Sequence, residues 1–360
     1  MLIPTEPIGS IPRPSALLDV LKRYRNGNAS AHELNESYDA AIKDTVQRFE
    51  ETGSPVITDG EQRKSSFATY PLEGLTNIAD DGIVIPFEDG HNRQLPRLTH
   101  GPFRYGRYAV NYLQSALHEA HRPVKQAVIS ASALSLLYPQ QELAGYSREA
   151  FLNDVVKEVS GDISLCLDAG AHCVQIDFTE GRLAVKLDPS KALLKGFIAL
   201  NNRVLEQFNS EQRKSIGVHT CPGGDRDSTH SADVDYAELL PELFRLKAGN
   251  FYVQLASEKD PRRVLAIIRE NLQPDQRVFV GVIDVIDNRV ETPEIVRDRV
   301  LLAAEYIPLA QLGTTDDCGF SPFEDDTSTG RDIAFAKIHA RVLGTQMAAD
   351  LLQAQNRNAS

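Results

Sequence analysis

His219 and Cys221 in the run SIGVHTCPGGD, and Cys318 in LGTTDDCGF, are the residues whose types and spacing point most directly to chemistry. The chain has only 4 cysteines in 360 residues, and these two follow short apolar runs where a strand gives way to a loop. Thiolate and imidazole are the ligands Zn²⁺ prefers, and three protein ligands with one open position is the pattern of a catalytic zinc. The single residue between His219 and Cys221 lets a strand end with a slight kink turn both side chains the same way. A metal-free loop with two buried cysteines is the alternative at this point. Cys166, within a helical pattern, and Cys173, at the start of a strand, read as small buried hydrophobes.

Strand-like runs occur at 56–61, 126–132, 172–178, 215–221, 250–257, 278–285 and 309–315, several of them almost continuously apolar. That is the pattern of a parallel sheet covered on both faces. Helical spacing fills 32–52, 147–170, 192–208, 234–247, 260–271, 292–306 and 331–353 between and after them. With the N-terminal EPIGS as a first strand there are eight β units, each followed by a segment able to form a helix. This predicts an α/β fold, a (β/α)₈ TIM barrel, with residues 1–360 as a single domain. The rhythm breaks from residue 65, where turn residues and short alternating runs predict a hairpin-containing insertion after the second strand, at about 65–106. A helix over 107–121 follows it, and the terminal LLQAQNRNAS is expected to fray.

Once the strands are placed, Ser10, Glu61, Asp177, His219, Cys221, Gln254, Asp284 and Cys318 all fall at or just past their carboxyl ends. In a barrel those ends converge on one mouth, where active sites are built. Taken singly, each acid has a plainer reading: Glu61 and Asp177 as caps, Asp284 as a partner of Arg289.

Composition narrows the partners. A formal net charge of -12 and a pI near 5.3 argue against nucleic acid and anionic membranes, which need basic surface. No apolar stretch approaches the roughly 20 residues that span a bilayer. The N-terminus lacks the pattern of a signal peptide, and so few cysteines make no disulfide framework, so a reducing cytoplasm is the expected location.

Five short motifs, in order along nearly the whole chain, resemble the catalytic C-terminal half of cobalamin-independent methionine synthases in a single-domain core form. IGSIPRP (8–14) resembles the family's Ile-Gly-Ser-Phe-Pro turn, DGEQRK (59–64) its Gly-Glu-Phe-x-Arg segment, and VQIDF (174–178) its Gln-Ile-Asp-Glu-Pro segment. HTC (219–221) and DDCG (316–319) resemble its His-Met-Cys and Asp-Cys-Gly motifs. The resemblance implies zinc held by His219, Cys221 and Cys318, and homocysteine held by Ile8 (through its backbone), Ser10, Glu61 and Asp177, with the acids facing its ammonium. It implies a zinc-dependent methyltransferase making methionine, similar to the 5-methyltetrahydropteroyltriglutamate–homocysteine methyltransferases, with a methyl-folate or methyl-corrinoid donor.

The chain departs from the family at three points. The glutamate that is the fourth zinc ligand in the family is matched by Gln254 or Leu255, with Gln254 the candidate ligand. In the family's Tyr-Asp-Ile-His segment Asp284 matches the acid, but Ile286 stands in the histidine position. Asp287 would be the substitute proton donor only with a raised pKa. The chain has no tryptophan to stack on a folate, and Tyr138 is the nearest aromatic candidate. A sulfonium or an epoxide is therefore a further electrophile to consider. The glycine- and aspartate-rich 221–235 loop reads as a lid or substrate wall, with Arg226 and His230 available to an anionic group. Three other readings stand beside methyl transfer. They are a zinc-dependent alkyltransferase or lyase acting on another thiol or an epoxide, a non-catalytic thiol-binding homologue, and a metal-free enzyme on a related barrel such as the uroporphyrinogen decarboxylase group.

Overall fold

A computed structural model describes residues 3–359. Ten strands occur among them: β1 (Ile78–Ala79), β2 (Val84–Pro86), β3 (Asn92–Gln94), β4 (Arg97–Leu98), β5 (Lys125–Ile129), β6 (Cys173–Asp177), β7 (Ile216–Thr220), β8 (Asn250–Val253), β9 (Arg277–Ile283) and β10 (Leu312–Asp316). β5 to β10 form one six-stranded sheet in chain order, every pairing parallel. Of all their residues only Arg277 is exposed, as follows from near-continuous apolar runs with helices packed on them.

Local chemistry sets the helix ends. Ser30, Ser147 and Thr292 each accept a hydrogen bond from the third residue onward, starting the helices Ala31–Glu51, Arg148–Asp168 and Pro293–Ala304. Ala31–Glu51 buries Ile42, Val46 and Phe49 at helical spacing. The last helix, Arg331–Ala359, runs through most of the tail expected to fray, since no glycine or proline follows Gly344 to stop it. Ser360 lies outside the described residues. Periodicity missed the helices Ser15–Arg25 and Glu180–Leu187.

The first two expected strands are reduced to single bridges. Thr5 pairs with Thr314 at one sheet edge, and Ile57 with Val124 at the other. Beyond these bridges Gly9, Gly60 and Glu61 have positive φ, which breaks the extended ladder. The freed groups bond sideways instead: Ile11 N–H donates to Gly60 O (3.0 Å), and Thr58 Oγ1 to Gly9 O (2.8 Å).

Between Ile57 and β5 the chain makes one antiparallel arm, β2 against β3, with β1 against β4 at its base, where Leu98 is buried and its N–H donates to Leu137 O. Helix Val110–Glu119 follows it.

Register within the sheet aligns the reactive side chains. Ile129 pairs with Asp177, Asp177 with His219, and His219 with Tyr252, so these residues occupy one level across β5 to β8. Deeper in the core Arg341 forms a buried ion pair with Asp316. Removing one member of such a pair leaves a charge in low dielectric. Arg341→Leu is therefore expected to destabilise the fold by about 3–5 kcal/mol, read as a fall in the thermal midpoint. An unchanged midpoint would mean that the pair contributes nothing to the core.

Candidate metal centre and flanking cavities

His219 is the penultimate residue of β7, Cys221 follows that strand directly, and Cys318 stands two residues after β10. Ligand atoms of the three, all buried, lie within 4.8 Å of one another, with the two sulfurs 3.0 Å apart. Asp177 orients the imidazole: its Oδ1 lies 3.2 Å from His219 Nδ1 and accepts from Gln175 Nε2 (2.8 Å). Nδ1 is thereby engaged, and Nε2 is a buried atom with no well-aligned partner. Burial disfavours the imidazolium, but Asp177 and Cys318 outweigh it and hold the pKa up to about 9. Hydrogen bonding to Cys221, then burial, pushes the Cys318 thiol well up. Two crowded thiols and an imidazole with one uncommitted nitrogen form a donor set that suits Zn²⁺, and Asp177 is the outer carboxylate that commonly fixes a zinc-binding histidine.

These residues open onto a cavity of about 380 Å³ that is also lined by Ile8, Ser10, Glu61 and Asp177. Residues expected near the thiol and amino group thus share one chamber. Ser10 Oγ accepts from Ser321 N (3.2 Å), and a Cβ at Gly319 would lie only 2.1 Å from it, so a glycine is required there. Glu61 is held at φ 56° by neighbours the sequence did not single out. Arg13 Nη2 donates to its carbonyl (2.8 Å), and buried Lys64 donates to its Oε1 (2.9 Å). Burial raises the Glu61 pKa, with Lys64 acting against the rise.

A second cavity of about 550 Å³ holds Gln254 and Asp284, and shares Gly223, Gly224 and Cys318 with the first. Gln254 Nε2 donates to Glu258 Oε1 (3.1 Å). The adjoining 255–257 turn is built on Asp317, whose carboxylate accepts from the Leu255, Ala256 and Ser257 amides at 2.8–2.9 Å and from Ser257 Oγ at 2.7 Å. Only its place beside Cys318 in DDCG marked that residue in sequence. Asp284 Oδ1 accepts from Ile286 N (3.0 Å), and Arg289 pairs with Asp287, not with Asp284.

Asp287 does not serve as the substitute proton donor. It lines neither cavity, and hydrogen bonding to Arg289 pulls its pKa down to about 2, opposite to the required shift. Tyr138 is no stacking platform either, since it is buried outside both cavities with its hydroxyl donating to Tyr146 O (2.7 Å). The 221–235 loop does wall both cavities, but Arg226 is paired with Asp325. Burial lowers His230 to about 4, which leaves it neutral.

The β2–β3 arm roofs the first cavity. Arg93 Nε and Nη2 donate to Asp225 (2.6 and 3.0 Å), and the guanidinium also spans Asp325 (2.9 and 3.1 Å). His91 Nε2 lies 2.9 Å from Asp225 Oδ2, and the Phe87 ring stacks on His91 at 4.5 Å. No local pattern could reveal contacts between residues 132 positions apart.

Among the described residues no helix is long and apolar enough to cross a membrane. The methionine synthase of Sulfurisphaera tokodaii is 22% identical over 373 aligned positions, which cover 100% of this chain and 96% of that protein. The methionine synthase of Sulfolobus acidocaldarius is 24% identical, covering 96% of this chain and 91% of its own length. A B12-independent methionine synthase from Shewanella sp. W3-18-1, solved in complex with selenomethionine, superposes with a TM-score of 0.77 at 20% identity, covering 98% of this chain and all of that one. The profile of the cobalamin-independent synthase catalytic domain matches residues 3–331. With that match spanning most of its length, the chain belongs to the cobalamin-independent synthase family through its catalytic domain.

Proposed function

We propose that this protein is a zinc-dependent methyltransferase that converts homocysteine to methionine, with His219, Cys221 and Cys318 holding the metal. One observation carries the reading: the three candidate ligands share a cavity with a serine and two acids, Ser10, Glu61 and Asp177, a set that suits an amino acid. The methionine synthases among its relatives favour the same substrate and product. Bound zinc would supply the means of keeping an alkyl thiol deprotonated at neutral pH.

The chain's own residues do the rest. Glu61 and Asp177 attract the ammonium, which selects an amino-acid thiol over a plain one. Ser10 and the Ile8 backbone position the remainder of the amino acid, and Asp177 keeps the imidazole of His219 in one tautomer. Lys64 offsets part of the charge of Glu61, so the pair of acids remains tolerable when the site is empty of substrate. The roof formed by Phe87 and Arg93 excludes water from a nucleophile that water would solvate. Gln254, beside Cys318 in the second cavity, is a candidate fourth ligand through its amide oxygen, and Asp284 shapes the wall from which the methyl group arrives.

We further propose one domain over 1–360 with the arm as an insertion, and closure of the sheet into an eight-unit barrel. The Ile11–Gly60 bond between the two edge segments favours closure. A reducing cytoplasm suits two thiols 3.0 Å apart, which an oxidant would join.

The test is spectroscopic. L-Homocysteine should change the ligand-field spectrum of the cobalt-substituted protein, while 4-mercaptobutanoate, the same thiol without its amino group, should bind at least about tenfold more weakly. A response to the plain thiol with none to homocysteine would move the substrate away from methionine synthesis.

A further inference from the structure

A third cavity, of about 330 Å³, lies between the antiparallel arm and the helices Glu180–Leu187 and Ala192–Leu205. That volume is within the range of about 300–1,000 Å³ that small-molecule sites occupy. Ile85, Phe87 and His230 line both this cavity and the first, so the two chambers share one wall. The lining is apolar on three sides, with Val84 from the arm, Leu183 and Leu187 from the first helix and Phe197 from the second. At the rim Leu187 is 68% exposed, a large apolar side chain left to water.

One buried carboxyl interrupts this lining. Glu180 is 6% exposed, and its Oε1 accepts from the hydroxyls of Ser130 and Ser132. Asn201 Nδ2 steadies the second serine, donating to Ser132 Oγ at 2.7 Å. This network fixes how the carboxyl is turned. The other oxygen, Oε2, is buried with no well-aligned partner among the described residues. Besides the two serines, only the residue's own amide, at the start of its helix, bears on the carboxylate as a donor. No ion pair among the described residues neutralises it, since Lys186 is committed to Asp233 and to His230 O, and Arg182 to Glu258. A buried carboxylate with an open oxygen and no counter-charge costs free energy unless a ligand supplies both. A hydroxyl would supply only the hydrogen bond. An ammonium supplies the charge as well.

We propose that the third cavity binds an amine with an apolar body, its ammonium N–H donating to Glu180 Oε2 and its body covered by the apolar walls. The site uses none of the candidate zinc ligands and stands whether or not homocysteine fills the first cavity. Binding requires Glu180 to be ionised. Burial pushes its carboxyl up to about 7, against the serine hydroxyls, and the charge of Asp177 adds to the rise. The remaining charged groups around the cavity leave that dependence in place. Glu88 lies on the exposed rim, Lys186 and Arg182 are paired, and His230, lowered to about 4, is neutral. The sign follows directly. Below the Glu180 pKa an incoming ammonium must displace a proton from the carboxyl, and above it the carboxylate is already formed, so affinity rises with pH and then levels. A neutral ligand of the same shape has no such dependence.

The probe is 4-fluorophenethylamine, followed by fluorine NMR, with 2-(4-fluorophenyl)ethanol as its uncharged counterpart. At about pH 8 the amine should bind at least about tenfold more tightly than the alcohol. Its affinity should rise about tenfold between about pH 6 and about pH 8, while that of the alcohol stays level. Glu180→Gln should weaken the amine by at least about tenfold and flatten its pH profile, with alcohol binding and the thermal midpoint retained. Should that variant fail to fold, the pH profile of the unaltered protein decides alone, and a level amine profile overturns the site. Equal binding of amine and alcohol overturns it, as does full amine affinity in folded Glu180→Gln. Amine binding lost in Glu61→Gln but kept in Glu180→Gln would place the probe in the first cavity and overturn it too. No binding of either probe also sets the proposal aside.

Discussion

Cys221→Ser and Cys318→Ser are each expected to reduce zinc from about one equivalent to less than about a tenth, and to lower methyl transfer by about a thousandfold or more. The expectation follows from ligand chemistry. A serine hydroxyl does not ionise near neutral pH and cannot replace a thiolate, and with one residue gone only two of the three clustered ligands remain. The fold should survive, since both sulfurs border a cavity and the change is isosteric to within one atom. Burying a hydroxyl in place of a thiol costs about 1–3 kcal/mol, against a larger stability expected for a domain of this size. Metal analysis with circular dichroism on the same samples separates the outcomes. Full zinc content in both folded variants would remove these cysteines from the site.

Asp177→Asn should produce the second-largest change, felt at two places. One oxygen of this carboxylate lies against His219 Nδ1 and Gln175, and the residue also borders the first cavity. Losing a charge-assisted contact to an ammonium costs about 2–3 kcal/mol, or about 30- to 150-fold in homocysteine affinity. Zinc affinity should weaken as well, by about 10–100-fold, so the comparison is made at saturating metal. Binding of 4-mercaptobutanoate supplies the control, because it has no ammonium to lose. Equal weakening of both thiols would assign Asp177 to metal support alone. No weakening of either would take it out of the site.

The two substitutions probe parts that were legible to different degrees. The cluster of His219, Cys221 and Cys318 was visible because its residue types are rare and each follows an apolar run. Strand and helix positions were visible because both faces of the sheet are covered and the helices carry serine and threonine caps. The first two strands were not, since left-handed residues at Gly9, Gly60 and Glu61 interrupt pairing in a way no hydropathy pattern records. The expected roles of Asp287 and Tyr138 failed for a related reason: each has a neighbour, Arg289 or Tyr146, that claims its polar atoms.

Residue chemistry and strand periodicity by themselves determined that this chain has an α/β fold with His219, Cys221 and Cys318 on strand ends, because those properties are local. Only the tertiary structure decided what surrounds them. It placed Lys64 against Glu61, Asp317 beneath the 255–257 turn, the arm of Arg93 over the first cavity and Tyr236 in the second. Those contacts depend on how the chain crosses itself, with Cys221 meeting Cys318 across 97 positions and Arg93 meeting Asp225 across 132. Charge, burial and hydrogen-bond completion are properties of such crossings, and no local pattern records them.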